Sequence, residues 1–171
     1  MYGQGAVTRS VDAEGEDGEY GRARLTLRTA VPLVEGRWRV GAEAAGGHAW
    51  GDLPLQRHWT LGGPVNLRGY GATTAVGRTC ARGRLEIGRV FPAWSLAGFA
   101  DAGWTDDRPE WTVDGVGSWA PDGESWDYDE VRWAIGVGAS LLDGLVRFDV
   151  SRGLTGPDRR TRVDLYLDAL F

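Results

Sequence analysis

One arginine in a glycine-rich stretch is the residue of this chain best placed to do chemistry. Arg68 lies in Leu61-Gly-Gly-Pro-Val-Asn-Leu-Arg-Gly-Tyr70, between segments that alternate apolar and polar residues. Glu86 follows on one predicted strand and Asp101 on the next. A guanidinium held in a fork by carboxylates makes a strong charge-assisted contact. The pattern therefore indicates a loop that is fixed by charge.

The residue types of catalytic and metal sites are sparse. His48 and His58 are the only histidines, and no Ser or Cys sits in a nucleophile elbow. Cys80 is the only cysteine and has no metal-ligand spacing around it. Gly136 and Gly138 lack the third glycine and the following acid of a dinucleotide site. We therefore expect no catalytic residue, no metal and no cofactor, and predict that the chain is not an enzyme.

The charge is concentrated in one acidic segment. The net charge is −5, and all 19 basic residues are arginine. Between Asp106 and Glu130 the chain has nine acidic residues and one arginine, which leaves a net +3 elsewhere. This indicates a solvated loop and not a nucleic-acid-binding surface. Asp127, Asp129 and Glu130 could bind calcium there, although a solvated acidic loop is the preferred interpretation.

Period-two alternation with frequent glycines predicts an all-β, antiparallel fold in a single domain over residues 1–171. In the segment before Leu141, for example, Val131, Trp133, Ile135 and Val137 share one face. We predict eight strands, at 3–11, 19–33, 36–50, 79–91, 94–105, 130–142, 145–153 and 161–171.

The predicted connections alternate in length, with the short ones all on one edge of the sheet. The long ones are 12–18, 51–78, 106–129 and 154–160. Outer-membrane barrels have this arrangement, with short periplasmic turns and long external loops, which would make 106–129 an acidic extracellular loop. The alternation itself also fits a soluble antiparallel sheet whose apolar face meets a core.

Three details favour contact of the apolar face with lipid. The apolar faces are formed largely by small or aliphatic side chains, while the opposite faces carry an arginine on nearly every strand. Trp94 and Trp104 end one strand on the same face, as two interfacial girdles would require. The chain also ends on Phe171 with apolar residues at alternate positions before it, which is similar to the terminal strand of outer-membrane proteins.

Five short motifs, in order, resemble the outer-membrane insertase and secretion-barrel superfamily (BamA/TamA-like, the bacterial surface antigen family). The resemblance covers about the last two-thirds of the chain, from Leu53 to Phe171. The motifs are the loop with Gly62, Gly63, Leu67, Arg68, Gly69 and Tyr70; Arg84-Leu-Glu86-Ile; the strand with Phe99, Asp101 and Gly103; Gly136-Val-Gly138; and Val146-Arg147-Phe148-Asp149.

The resemblance implies that loop 51–78 folds back into a barrel lumen, where Arg68 binds Glu86 and Asp101 on the wall. An eight-stranded barrel has a lumen only wide enough for side chains, so a wider barrel is expected. The family barrel has about sixteen strands, and this chain would then be its C-terminal half. The partner is either the missing N-terminal half or a second copy. A closed eight-stranded barrel with the loop outside is the alternative.

The function implied by the resemblance is the insertion, assembly or translocation of polypeptides at the bacterial outer membrane. The implied partners are the lipid bilayer and client outer-membrane or secreted polypeptides, with no nucleic acid. Two alternatives stay open: a barrel that anchors an enzyme such as a patatin-like lipase, and a soluble β-sandwich binding module. No signal peptide is visible at 1–5, so we expect a secreted chain of this kind to be a fragment or trimmed.

Overall fold

A computed structural model describes residues 6–16, 20–34, 36–53, 55–106, 130–142, 145–156 and 159–167. Its main feature is one eight-stranded sheet in which every neighbouring pair of strands is antiparallel. The strands of this sheet, in chain order, are β1 Ala6–Glu16, β2 Tyr20–Leu33, β3 Trp38–Gly51, β6 Thr79–Val90, β7 Trp94–Thr105, β8 Arg132–Leu141, β9 Val146–Gly153 and β10 Thr161–Leu167.

The sheet is open. β1 and β10 form its two outer edges, and within the described residues they do not pair with each other. A short 3₁₀ helix, Leu55–Arg57, and a small hairpin of β4 Trp59–Leu61 and β5 Ala75–Gly77 lie between β3 and β6. No helix of the described residues is long and apolar enough to cross a bilayer. The all-β antiparallel prediction is confirmed.

The strand predictions need three corrections. The first strand was placed too early, because β1 runs through Glu16 and pairs with β2 over its whole length. The predicted long connection 12–18 is therefore wrong, and only 17–19 separates these two strands. The segment 51–78 is not a plain loop, since it holds the β4–β5 hairpin. Phe171 and nearly all of segment 106–129 lie outside the described residues.

The two faces of the sheet are inverted relative to a water-soluble protein. The apolar face, with Leu85, Ile87, Val137 and Leu165 among its members, is exposed, and their exposures are 55%, 51%, 62% and 73%. The polar face carries the buried side chains, which include Arg68 from the overlying loop and Asp101, Arg132, Arg147 and Asp149 from the strands. An exposed apolar face opposite a buried polar one is the pattern of a membrane barrel wall.

Aromatic residues mark both margins of the apolar face. Connections 34–37, 91–93 and 142–145 define the short-turn edge of the sheet, and the opposite, loop edge carries 52–78, 106–131 and 154–160. Trp94 starts β7 at the short-turn edge, and Trp104 lies one residue before its end at the loop edge. Ten residues of strand span about 33 Å, or about 25 Å after a tilt of about 40°. That height matches the apolar band of outer-membrane barrels.

We expect a charge at mid-height of the apolar face to cost more than one at its margin. Val137 lies in the middle of β8 and Leu141 ends it. Val137→Arg should lower the free energy of unfolding by about 2–4 kcal/mol, and Leu141→Arg by about 0–1 kcal/mol, if this face meets lipid. Denaturant titration of the protein folded into phospholipid vesicles measures both. Equal effects at the two positions, or folding without any detergent or lipid, would contradict a lipid-facing surface.

Candidate functional site

The loop between β4 and β5 is shaped by glycines and by one buried leucine. Gly63 accepts a backbone hydrogen bond from Leu67 at 3.0 Å and donates one to Tyr70 at 3.0 Å. Leu67 is fully buried and packs with Leu61 on Gly103 of β7, where an added Cβ would lie 3.1 Å from Leu61 and 3.3 Å from Leu67. The loop therefore lies flat on the polar face and turns Arg68 toward the strands.

Gly69 makes the closest backbone approach of the loop to the sheet. Its φ is +82°, a value that favours glycine, and an added Cβ would lie 2.8 Å from the carbonyl carbon of Arg152 and 2.9 Å from the nitrogen of Gly153. A side chain at this position would therefore clash with β9 backbone. Gly69 allows the neighbouring Arg68 to reach the polar face without lifting the loop.

Asp101 binds Arg68 in a bidentate ion pair. The Arg68 Nε and Nη2 atoms donate to the two carboxylate oxygens of Asp101 at 2.8 and 2.7 Å, and the Arg68 backbone nitrogen donates to Asp101 at 3.2 Å. Arg68 Nη1 donates to Glu86 at 3.0 Å. The guanidinium carbon lies 3.4 Å from the centroid of the Phe99 ring. Both Arg68 and Asp101 are 1% exposed, so the pair is shielded from solvent.

A second arginine extends the contact toward the edge strand. Arg147 of β9 donates to both oxygens of Glu86 at 2.9 and 2.7 Å, and its Nε donates to Asp149 at 2.9 Å. Asp149 also accepts from the Tyr166 hydroxyl of β10 at 2.6 Å and lies 3.5 Å from Arg68 Nη1. The network therefore joins the loop to β6, β7, β9 and β10.

The reach from Arg147 to Glu86 shows that the sheet curves. β6 and β9 are three strand spacings apart, about 14 Å on a flat sheet. Their side chains meet directly, so the polar face is concave. At the level of this contact β8, one of the two strands between them, presents the small residues Ala134, Gly136 and Gly138 to this face, while its Arg132 lies at the loop edge. Phe99 lies over Gly136 and Asp149 beside Gly138, in space that a larger side chain would fill.

The network is balanced in charge. Three guanidiniums, of Arg68, Arg84 and Arg147, lie within 3.5 Å of one or more of three carboxylates, of Glu86, Asp101 and Asp149. Burial by itself would lower the pKa of Arg68, but its hydrogen bond to Asp101 and its attraction to Asp101 and Glu86 outweigh burial and raise that pKa. Arg68 therefore stays charged at every pH at which the protein is folded. Paired and hydrogen-bonded charges are the condition under which buried ions are tolerated.

Further contacts hold the loop at both ends. The Tyr70 hydroxyl lies 2.8 Å from the Trp133 carbonyl and 2.9 Å from the Thr155 carbonyl, and accepts from the Thr155 nitrogen at 3.2 Å. On the other side Arg82 donates to the Val65 carbonyl at 2.8 Å, and Arg84 donates to the same carbonyl at 3.1 Å. Glu43 of β3 in turn forms ion pairs with Arg82 and Arg28.

The structure brings together nearly all of the sequence-selected residues. Gly62, Gly63, Leu67, Gly69 and Tyr70 shape and anchor the loop, and Arg68, Glu86, Phe99, Asp101 and Gly103 meet beneath it. Three further residues, Arg147, Asp149 and Tyr166, join the network but were not predicted as partners from the sequence. The sequence carried one signal for the roles of Arg147 and Asp149. They lie two residues apart on one strand and therefore share a face, the one that also carries Glu86. Within the described part of the chain, no group of His, Cys, Asp and Glu is arranged to hold a metal ion.

Removing one buried partner should strongly destabilise the fold. Asp101→Asn leaves Arg68 without its two-pronged acceptor, and we expect the free energy of unfolding to fall by about 3–5 kcal/mol. Asp52→Asn, which changes an exposed carboxylate in the long connection that carries Arg68, is the control and should change the free energy of unfolding by less than about 0.5 kcal/mol. Urea titration in detergent micelles measures both. A loss at Asp101 as small as that at Asp52 would contradict the importance of the contact.

A double-mutant cycle measures the coupling directly. Arg68→Gln combined with Asp101→Asn should lose less stability than the sum of the single changes, with a coupling of about 0.5–3 kcal/mol. A simple exchange of the two charges should rescue only in part, because a carboxylate at position 68 would face Glu86 and Asp149. Additive losses in the same urea titrations would show that the two residues act independently.

Comparison with known proteins places this fold beside that of a solved structure. The chain is similar to the crystal structure of BamA from Haemophilus ducreyi lacking POTRA domains 1–3, with a TM-score of 0.68 and 14% sequence identity. The match covers 94% of this chain but 37% of that chain, so this chain spans well under half of its length. No protein-family model matches the sequence, and no curated protein matches it. The similarity shows the fold: a curved antiparallel sheet that resembles part of the BamA barrel.

Proposed function

We propose that this chain is part of the wall of an outer-membrane β-barrel and helps polypeptides insert into, or cross, the bacterial outer membrane. One observation carries the proposal: a loop guanidinium is buried against carboxylates on the concave, polar face of a sheet whose convex face is apolar and exposed. The similarity in fold to BamA and the ordered motifs of the sequence support the same interpretation.

In this proposal, the open edge of the sheet is the part that contacts the client polypeptide. An edge strand presents unpaired backbone N–H and C=O groups, which can pair with an incoming strand. β10 is such an edge, and its Tyr166 is hydrogen bonded through Asp149 to the network that holds the loop. The loop would therefore stiffen the wall next to the edge where a client strand adds. This role needs no catalytic residue.

We further propose that additional strands complete the barrel. The loop from 52 to 78 occupies the concave face, and a lumen closed by eight strands alone would have room only for side chains. The wider barrel requires either further strands of a longer protein or a second copy of this chain. Segment 51–78 would then be lumenal, and segment 106–129 would be an extracellular loop on the opposite side of the membrane from the short-turn edge.

A reconstitution experiment tests the proposed role. The protein is folded into phospholipid vesicles, and the folding of a urea-denatured eight-stranded outer-membrane protein added from outside is followed by its shift on unheated gels. Vesicles with the wild-type chain should fold this client several-fold faster than empty vesicles. Arg68→Gln should lose most of the acceleration, whereas the exposed control Asp52→Asn should retain it.

Two other outcomes would redirect the interpretation. A chain that folds into vesicles but gives no acceleration would overturn the insertion role and favour a barrel that anchors another protein. A chain that stays folded in buffer without lipid or detergent would overturn the membrane location itself and favour a soluble binding module.

A further inference from the structure

The apolar face carries two arginines and no acidic residue over the strands whose side chains the structure describes. They are Arg89 and Arg152, the next-to-last residues of β6 and β9. β6 and β9 end at opposite edges of the sheet, so one arginine lies at the short-turn edge and the other at the loop edge. Within the described residues neither has a carboxylate within salt-bridge distance. Among the described residues, therefore, no carboxylate compensates their charges on this apolar face.

Arg89 has aromatic neighbours at the short-turn edge. Trp38 of β3 is its register partner on one side and Leu96 of β7 on the other. Its guanidinium carbon lies 5.1 Å from the centroid of the Phe91 ring. Phe91 in turn stacks on Trp94, with ring centroids 4.1 Å apart and planes inclined by 10°. This stack holds the Arg89 guanidinium at the level of the tryptophan girdle.

We infer that Arg89, with Trp38, Phe91 and Trp94, forms a binding site for the phosphate of an anionic glycerophospholipid in the leaflet at the short-turn edge. The inference rests on the proposed membrane location. At girdle height an arginine next to hydrocarbon keeps its aliphatic stem in the apolar layer and its charge among headgroups. A planar guanidinium with free donors binds phosphate oxygens in a fork. The rings beside it suit the glycerol and upper acyl region.

The neighbouring backbone ties the end of β6 to the turn between β2 and β3. The Arg37 carbonyl accepts a hydrogen bond from the nitrogen of Val90, the residue after Arg89, at 2.8 Å. Arg37 is itself exposed in the turn between β2 and β3. Arg37 is offset in charge by Glu35 of the same turn, so the charge of the site is that of Arg89. One guanidinium favours phosphatidylglycerol over phosphatidylcholine, because the choline cation of the zwitterion offsets the attraction of its phosphate.

Lipid titration of the full chain in dodecyl maltoside micelles tests the site. Native mass spectrometry counts bound dioleoyl phosphatidylglycerol and, separately, dioleoyl phosphatidylcholine. Arg89→Gln should weaken binding of phosphatidylglycerol about five-fold, the effect of one basic residue at an anionic surface, and leave phosphatidylcholine binding unchanged. Phe91→Leu should weaken it in the same direction, because the guanidinium is no longer held by the ring. Free inorganic phosphate should not compete, because it lacks the acyl chains.

Arg160→Gln is the matched control, since Arg160 is exposed but lies in the β9–β10 connection and not on the apolar face. Unchanged phosphatidylglycerol binding by Arg89→Gln, or an equal loss in Arg160→Gln, would overturn the site. Far-UV circular dichroism and gel migration before heating report folding in the same samples. If the wild-type chain fails to fold in micelles, the proposed membrane location and this site are both overturned. If it folds and Arg89→Gln has no effect, only the site is overturned.

Discussion

The contact between Arg68 and Asp101 is the interaction on which the rest of this structure depends. A single sheet with one exposed apolar face has no conventional core to hold it together. The buried interior is instead built on the concave face, from a small apolar cluster of Leu61, Leu67, Tyr70, Ala75 and Ala134 and from the ion network beside it. Because the loop supplies most of this cluster, the guanidinium that fixes the loop also fixes the curvature of the sheet beneath it.

The strands could be predicted because each has one face of a single character. β7 was predicted with its observed ends, since Trp94 to Thr105 alternates without a break. β1 was misplaced because Asp12, Glu14 and Gly15 have the composition of a turn. These positions nevertheless lie opposite Arg24, Arg22 and Gly21 in the β1–β2 register. The β4–β5 hairpin was missed because three residues are too few to show a period.

The site could be predicted only in part from the sequence, because some of its contacts depend on the curvature of the sheet. Glu86 and Asp101 lie on neighbouring strands, so alternation alone directs both toward one face. Arg147 reaches Glu86 across two intervening strands, and that contact exists only because the sheet curves and β8 presents glycine there. Curvature arises from the whole assembly of strands and loop, and local spacing does not encode it. The same holds for Tyr166, whose partner Asp149 is visible only once the register of β9 and β10 is known.

The narrow gap at Gly69 limits the register in which the loop can lie on the sheet. The space between position 69 and the ends of β8 and β9 contains no room for a side-chain atom. If the loop slid by one residue in either direction, Arg68 or Tyr70 would have to enter that gap. A shifted loop is thus rejected by steric exclusion before any ion pair is lost. Only glycine fits at position 69, so the loop can bind the sheet in one register. The ion pairs hold the loop in place, and the close contact at Gly69 determines where it binds.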